Sequence, residues 1–184
     1  MASTIVNSNP PKWIVGWFFI SSLVVFWDAG YCLLRPLSMA GGKYNWIWRP
    51  YNLYATVDYF YGPEAIAAND GFTSAQSVMN VVENIVNLTY VYLATNPKIN
   101  VGFANLVGFS GAVMTLSKTI LYWLNDHCSG WAHTKHNDLQ TFITLWVIPN
   151  GVWIVVPAII TVVLGTDLVK RMGGVSVAST KKVQ

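Results

Sequence analysis

Charge is what this chain has least of. Asp, Glu, Lys and Arg make up 10% of its 184 residues, where an ordinary soluble domain carries about 25%. That shortage excludes a globule with a normally hydrated charged surface. Cysteine is nearly absent too: Cys32 and Cys128 are the only two, so no disulfide framework is expected. Metal-ligand spacing is missing, because His127, His133 and His136 lie in one short polar loop without an accompanying cysteine or carboxylate pattern. There is no internal repeat and no low-complexity tract. Neither metal, cofactor nor nucleic acid is an expected partner.

What the chain has instead is apolar length. Hydrophobic residues make up 53% and aromatics 14%. Four stretches are long enough to cross a bilayer: Trp13 to Leu34, Thr73 to Ala94, Val101 to Leu124 and Leu139 to Leu164. About 20 apolar residues are needed per crossing. The expected fold is therefore an all-α membrane protein, a four-helix transmembrane bundle over residues 1–168 with a basic cytosolic tail at 169–184. The first stretch is too long, and lacks the small-residue cleavage site, for a removable signal peptide. With four crossings, Lys12, Lys98, Lys170, Arg171, Lys181 and Lys182 share one side, against Arg35, Lys43, Arg49 and Lys135 on the other. The positive-inside bias puts both termini in the cytosol. The closing "KKVQ" has the form of a dilysine retrieval signal, which points to a multi-pass protein of the endoplasmic reticulum membrane. Between the first two stretches runs "RPLSMAGGKYNWIWRPYNLYATVDYFYGPEAIAANDGFT", rich in Trp and Tyr as well as in Gly and Pro. That composition predicts a structured lumenal cap.

Polar residues inside the apolar stretches are the informative exceptions. In "QSVMNVVENIVNL", Gln76, Asn80, Glu83 and Asn87 fall on one helical face. A carboxylate near the bilayer centre costs roughly 2.5 kcal/mol or more, so Glu83 needs a partner or a function. Ser21, Asp28 and Arg35, with Tyr31 beside them, line the first helix. Lys118, Tyr122 and Asn125 share a face of the third, and Trp146, Asn150, Trp153 and Pro157 repeat along the fourth. These stripes should face one another, because lipid offers no hydrogen bonds and the bundle interior does. They can act as polar glue between helices, or they can line a cavity. Two acids with one buried base leave one acid unpaired, and desolvation favours its neutral form. Such an acid can protonate a weak base such as an alkene or epoxide, and Trp and Tyr faces can stabilise the resulting cation.

The stretch "TILYWLNDHCSGWAHTKHNDLQTFITLWVIPNGVWIVVP", together with "FWDAGYCLLRP" and "NLYATVDYFY", resembles the emopamil-binding proteins, the sterol 8,7-isomerases. These belong to the wider EXPERA-type family of four-helix membrane proteins that includes the sigma-2 receptor. The resemblance runs from Trp17 to Pro157, and "PNGVWIVVP" is its most specific element. It implies that Asp28 and Glu83 stand for the family's two acids, that Asn150 and Trp153 match its cavity asparagine and tryptophan, and that Asp58 matches an aspartate that folds the cap. It also implies a homodimer. The isomerases keep a histidine one turn before the first acid, and here that position is Val24.

The expected function is a cofactor-free isomerase or cyclase that protonates a lipophilic terpenoid, alkaloid or polyketide and steers its carbocation, in a setting of membrane lipid. Glu83 would be the general acid and Asp28 the base that later removes a proton, or the two exchanged, with Asn150 orienting one of them. Trp153 with Tyr31 or Tyr122 would face the cation, and Asn80, Asn87, Trp146 and Lys118 would complete the wall. If Lys118 pairs with Glu83, the acid has to be Asp28. Two other functions are open on the same residues: a sterol 8,7-isomerase, and a receptor that binds sterols or amines without turnover.

Overall fold

In a computed structural model describing residues 10–180, every regular element is helical, and no strand occurs among the described residues. Four helices are long: α1 (Lys12–Leu33), α4 (Phe72–Thr95), α5 (Val101–Cys128) and α7 (Ile148–Thr180). The short helices α2 (Tyr51–Val57) and α3 (Pro63–Ala67) lie between α1 and α4, and α6 (Leu139–Thr141) leads into a π-helical segment, Phe142–Val147, continuous with α7. Polar side chains start these elements where the first backbone N–H groups have no helical partner. Asn100 Oδ1 accepts from Gly102 and Phe103 N at α5, Asp70 Oδ1 from Phe72 N at α4, and Asp138 Oδ1 from Thr141 N at α6.

α1, α4 and α5 begin within a residue of the expected stretches, and the expected start at Leu139 is that of α6, which leads through the π-helical segment into α7; two of the helices run on. α5 continues past Leu124 to Cys128, and α7 continues through the expected 168/169 boundary to Thr180. The dilysine positions, Lys181 and Lys182, lie outside the described residues. Helices Lys12–Leu33 and Leu139–Gly173 are long and apolar enough to cross a membrane. In α4 the usual amphipathic order is inverted: Ser77, Asn80, Glu83, Asn84 and Asn87 are buried, while Val78, Met79, Val82 and Ile85 face out. α5 follows suit, burying Asn105, Thr115 and Asp126 and exposing Leu106, Ile120, Leu121 and Leu124.

α1 packs on α4, α4 on α5, and α5 on α7. Where α4 meets α5, small residues permit close approach. A methyl group on Gly108 would sit 2.6 Å from the Tyr90 ring, and one on Gly111 2.3 Å from Asn87 Oδ1. Polar bridges tie the pairs: Asn84 Nδ2 donates to the Ser22 carbonyl at 3.0 Å, and Asn105 Nδ2 to Asp167 Oδ2 at 2.8 Å. α1 and α7 meet at one end of the molecule, where Ile14 and Phe18 pack with Ile160 and Leu164 and the Trp17 and Trp153 rings lie 5.6 Å apart.

The opposite end is closed by a cap made from two connections. Asp58 is its hub: fully buried, it accepts from Phe60 N at 3.0 Å, from Trp146 Nε1 at 2.7 Å, and from the Tyr122 hydroxyl. One carboxylate thus joins the α2–α3 segment to α5 and to the π-helical segment. The buried Asp126 holds the second connection through His133 N, His133 Nδ1 and Thr134 Oγ1. His133 then stacks on Phe60, and His136 on Tyr59. Arg35 completes the lock by donating to the Phe60 carbonyl at 2.8 Å and to Thr73 Oγ1 at 2.7 Å. The loop histidines therefore serve the cap, and no three His, Cys, Asp or Glu side chains converge as metal ligands among the described residues.

Burial raises the Asp58 carboxyl from 3.8 to about 6, against the opposing effect of its three donors. A group whose folded pKa lies above its unfolded value stabilises most below the unfolded value and loses that contribution as pH rises through the folded one. Thermal unfolding in detergent should therefore show a contribution of roughly 3 kcal/mol present at pH 4 and gone by pH 7, at about 1.4 kcal/mol per pKa unit. Asp58→Asn should flatten that part of the profile while lowering stability at pH 4. Identical slopes in both proteins would remove Asp58 as its source.

Candidate functional site

Between the cap and the closed end of the bundle lies a cavity of about 430 Å3, within the usual range for small-molecule sites. α1 contributes Val24, Trp27 and Asp28, and α4 contributes Gln76, Asn80 and Glu83. Thr115, Lys118 and Tyr122 come from α5, and Asn150 and Trp153 from α7. Tyr51, Tyr54 and Tyr61 cover it from the cap. Seven of the ten expected site residues thus share one cavity: Asp28, Asn80, Glu83, Lys118, Tyr122, Asn150 and Trp153.

The other three lie outside the wall. Tyr31 is buried behind it, its ring stacked at 4.2 Å on Tyr51 and its hydroxyl donating to the Tyr61 carbonyl at 2.9 Å. Asn87 lies one helical turn beyond Glu83, against Gly111. Trp146 is fully buried against Asp58, packed among Trp123, Phe142 and Tyr122. For Trp146 the cause is the π-helical segment. A π turn closes on i→i+5 rather than i→i+4 bonds, so α-helical spacing cannot be carried across it. Trp146 turns to the cap while Asn150 and Trp153, beyond the π turn, face the cavity.

The two acids differ in their surroundings. Glu83 is taken: Lys118 Nζ lies 3.0 Å from Oε2, and Thr115 Oγ1 donates to Oε1 at 2.7 Å. Lys118 also donates to Asn80 Oδ1. Asp28 has no ion-pair partner among the described residues; its ligands are phenols. Tyr51 donates to Oδ1 at 2.6 Å and Tyr61 to Oδ2 at 3.4 Å. Burial pushes both phenols well up from 10, with the Asp28 charge adding to the effect. They therefore stay protonated as donors. Asn150 reaches neither acid; its Nδ2 donates to the Tyr54 hydroxyl at 3.2 Å and to the Trp146 carbonyl at 2.8 Å. It orients a cap tyrosine.

Sequence reasoning missed Trp27 and the trio Tyr51, Tyr54 and Tyr61. A signal was present, because Tyr51 and Tyr54 stand three apart on one face of α2. That this face folds down over Asp28 depends on contacts between segments far apart in the chain.

A buried pair loses most when one partner goes. Lys118→Met should destabilise by about 3 kcal/mol in detergent melts, leaving Glu83 buried and unpaired. The double substitution Glu83→Gln/Lys118→Met should recover most of that loss. Additive losses in the double substitution would contradict the pairing.

No family model matches this chain, and neither does any curated protein or solved structure.

Proposed function

We propose that this protein is a four-crossing membrane protein whose cavity is the site of a cofactor-free isomerase or cyclase acting on a lipophilic small molecule. Support for four crossings comes from the inverted order of α4 and α5, with amides and Glu83 inward and Val, Ile and Leu outward. Water would penalise that arrangement, and lipid favours it. The distribution of basic residues puts the side bearing Lys12, Lys98, Lys170 and Arg171 in the cytosol.

The observation that carries the chemistry is the contrast between the acids. Glu83 is neutralised by Lys118, which leaves Asp28 as the carboxyl available to a ligand. Its Oδ1 is held firmly by Tyr51. Oδ2 has only the long contact to Tyr61 and is the oxygen that can carry a transferable proton into the cavity. Delivery of that proton to an alkene carbon or epoxide oxygen leaves a carbocation on the substrate and a carboxylate on Asp28. The Tyr51 hydroxyl stabilises that carboxylate, since hydrogen bonds to a charged acceptor are the stronger kind. Trp27 and Trp153 offer ring faces to the cation. The sequence ends when Asp28 takes back a proton from a neighbouring carbon, which moves the double bond, or when a hydroxyl within the substrate traps the cation, which closes a ring and passes that hydroxyl's proton to Asp28. Neither course consumes a cofactor. Val24 lines the cavity where the sterol isomerases keep a histidine, so Asp28 and its phenols have to manage the proton without that shuttle.

The test is turnover in heavy water. Membranes containing the protein are offered an 8-ene sterol, terpenoid epoxides and polyenes, and products are read by mass spectrometry. An alkene should give a product carrying one deuterium on carbon, and an epoxide a rearranged or cyclised isomer whose hydroxyl deuterium exchanges out, with either rate lowered at least a hundredfold by Asp28→Asn and about tenfold by Tyr51→Phe, in line with the effect of general acid catalysis. A 7-ene sterol as the labelled product would identify a sterol isomerase. Binding without product in every case would make the protein a receptor, and full activity in Asp28→Asn would overturn the assignment of the acid.

A further inference from the structure

The cavity has a second polar end, which the Asp28 chemistry does not use. On α5, the Lys118 ammonium donates to Asn80 Oδ1 and lies 3.0 Å from Glu83 Oε2 as an ion pair. An ammonium has three N–H donors. Lys118 lines the cavity, and with no side chain beyond Asn80 and Glu83 in contact with the ammonium among the described residues, at least one donor is left over. Beside it, Gln76 is fixed in orientation because its Nε2 donates to the Lys118 backbone carbonyl at 3.1 Å. Its Oε1 is buried and without a donor, although Gln76 lines the same cavity. A buried acceptor left unpaired is costly, and native structures nearly always satisfy it.

One spare donor and one spare acceptor, on two cavity-wall residues tied to each other through the Gln76 amide, match a group that can both accept and donate. A hydroxyl does so; an ether or ketone meets only the lysine. An anionic group fits poorly, because Glu83 already balances the lysine charge and would repel it. We propose that Lys118 and Gln76 form a hydroxyl-recognition subsite, so that the substrate is a lipophilic alcohol bound with its hydroxyl at the α4–α5 wall and its reacting alkene or epoxide at Asp28. This rests on the cavity being a ligand site, as proposed above. It makes the subsite the element that sets the substrate's direction. The same skeleton bound the other way round would leave Gln76 Oε1 bare and bring a hydroxyl to the acid.

Binding to protein in lipid nanodiscs tests this without requiring turnover. The probes are two matched series: farnesol, farnesyl methyl ether and the parent triene hydrocarbon, and cholesterol, its methyl ether and the 5-ene hydrocarbon. In at least one series the alcohol should bind about tenfold more tightly than the ether, and the ether more tightly than the hydrocarbon, the scale of a hydrogen bond to a charged or buried group. Gln76→Leu should bring alcohol and ether to equal affinity and leave the hydrocarbon unchanged. Lys118→Met should weaken alcohol and ether together. Because that variant strands Glu83, Glu83→Gln/Lys118→Met is measured beside it and should show the same loss. An alcohol preference that survives both Gln76→Leu and the double substitution would overturn the subsite. Equal binding of all three probes would overturn it too, while leaving the cavity and its acid standing. Failure of all six to bind would overturn the cavity as a site for lipophiles, and the subsite with it.

Discussion

The architecture turns on one carboxylate outside the cavity. Asp58 gathers a backbone N–H, an indole N–H and a phenol from three distant parts of the chain. Each of those donors would otherwise be buried without a partner, and a buried unpaired donor costs about 1–3 kcal/mol. Satisfying all three at once fixes the connection after α1 against α5 and against the π-helical segment before α7. With that cap in place, Tyr51 and Tyr61 reach Asp28, and Tyr54 reaches Asn150. Without it the first acid would have no phenols and the cavity no roof. Asp58 thus shapes the cavity without lining it.

Inside the bundle, two acids of the same chemical type are led to different states by their neighbours. Glu83 is answered by a lysine and a threonine on α5, and the charge is spent in holding α4 and α5 together. Asp28 is answered only by hydroxyls. The presence of Lys118 on α5 therefore distinguishes the two acids, and it also gives the cavity a polar wall.

Much of the helical framework is legible in the sequence because apolar length and period-3.6 patterning are local properties. The ends of α1 and α4 fall within a residue or two of the hydrophobic runs, and the inward stripe of Asn80, Glu83 and Asn87 is a matter of spacing alone. Spacing gives a face, however, and not how far along that face a cavity extends. Asn87 shares the stripe but lies a turn too deep, where Gly111 brings α5 against it. Trp146 fails for a different reason. The π-helical segment carries no composition that marks it, and it changes the facing of every residue counted across it.

The sequence by itself determined that the chain would form long helices with polar groups on their inner faces, since a bilayer-length apolar run can satisfy its backbone only as a helix and each buried polar side chain needs a partner. It also determined that two acids and one lysine would compete within those faces. Only the tertiary structure decided which acid the lysine takes, that Tyr51 and Tyr61 come down on the other, and that Tyr31 and Trp146 serve as backing. Those outcomes rest on contacts between residues tens of positions apart, such as Tyr51 with Asp28 and Trp146 with Asp58. No local pattern encodes such a meeting, because it is fixed by the simultaneous packing of the cap and all four long helices.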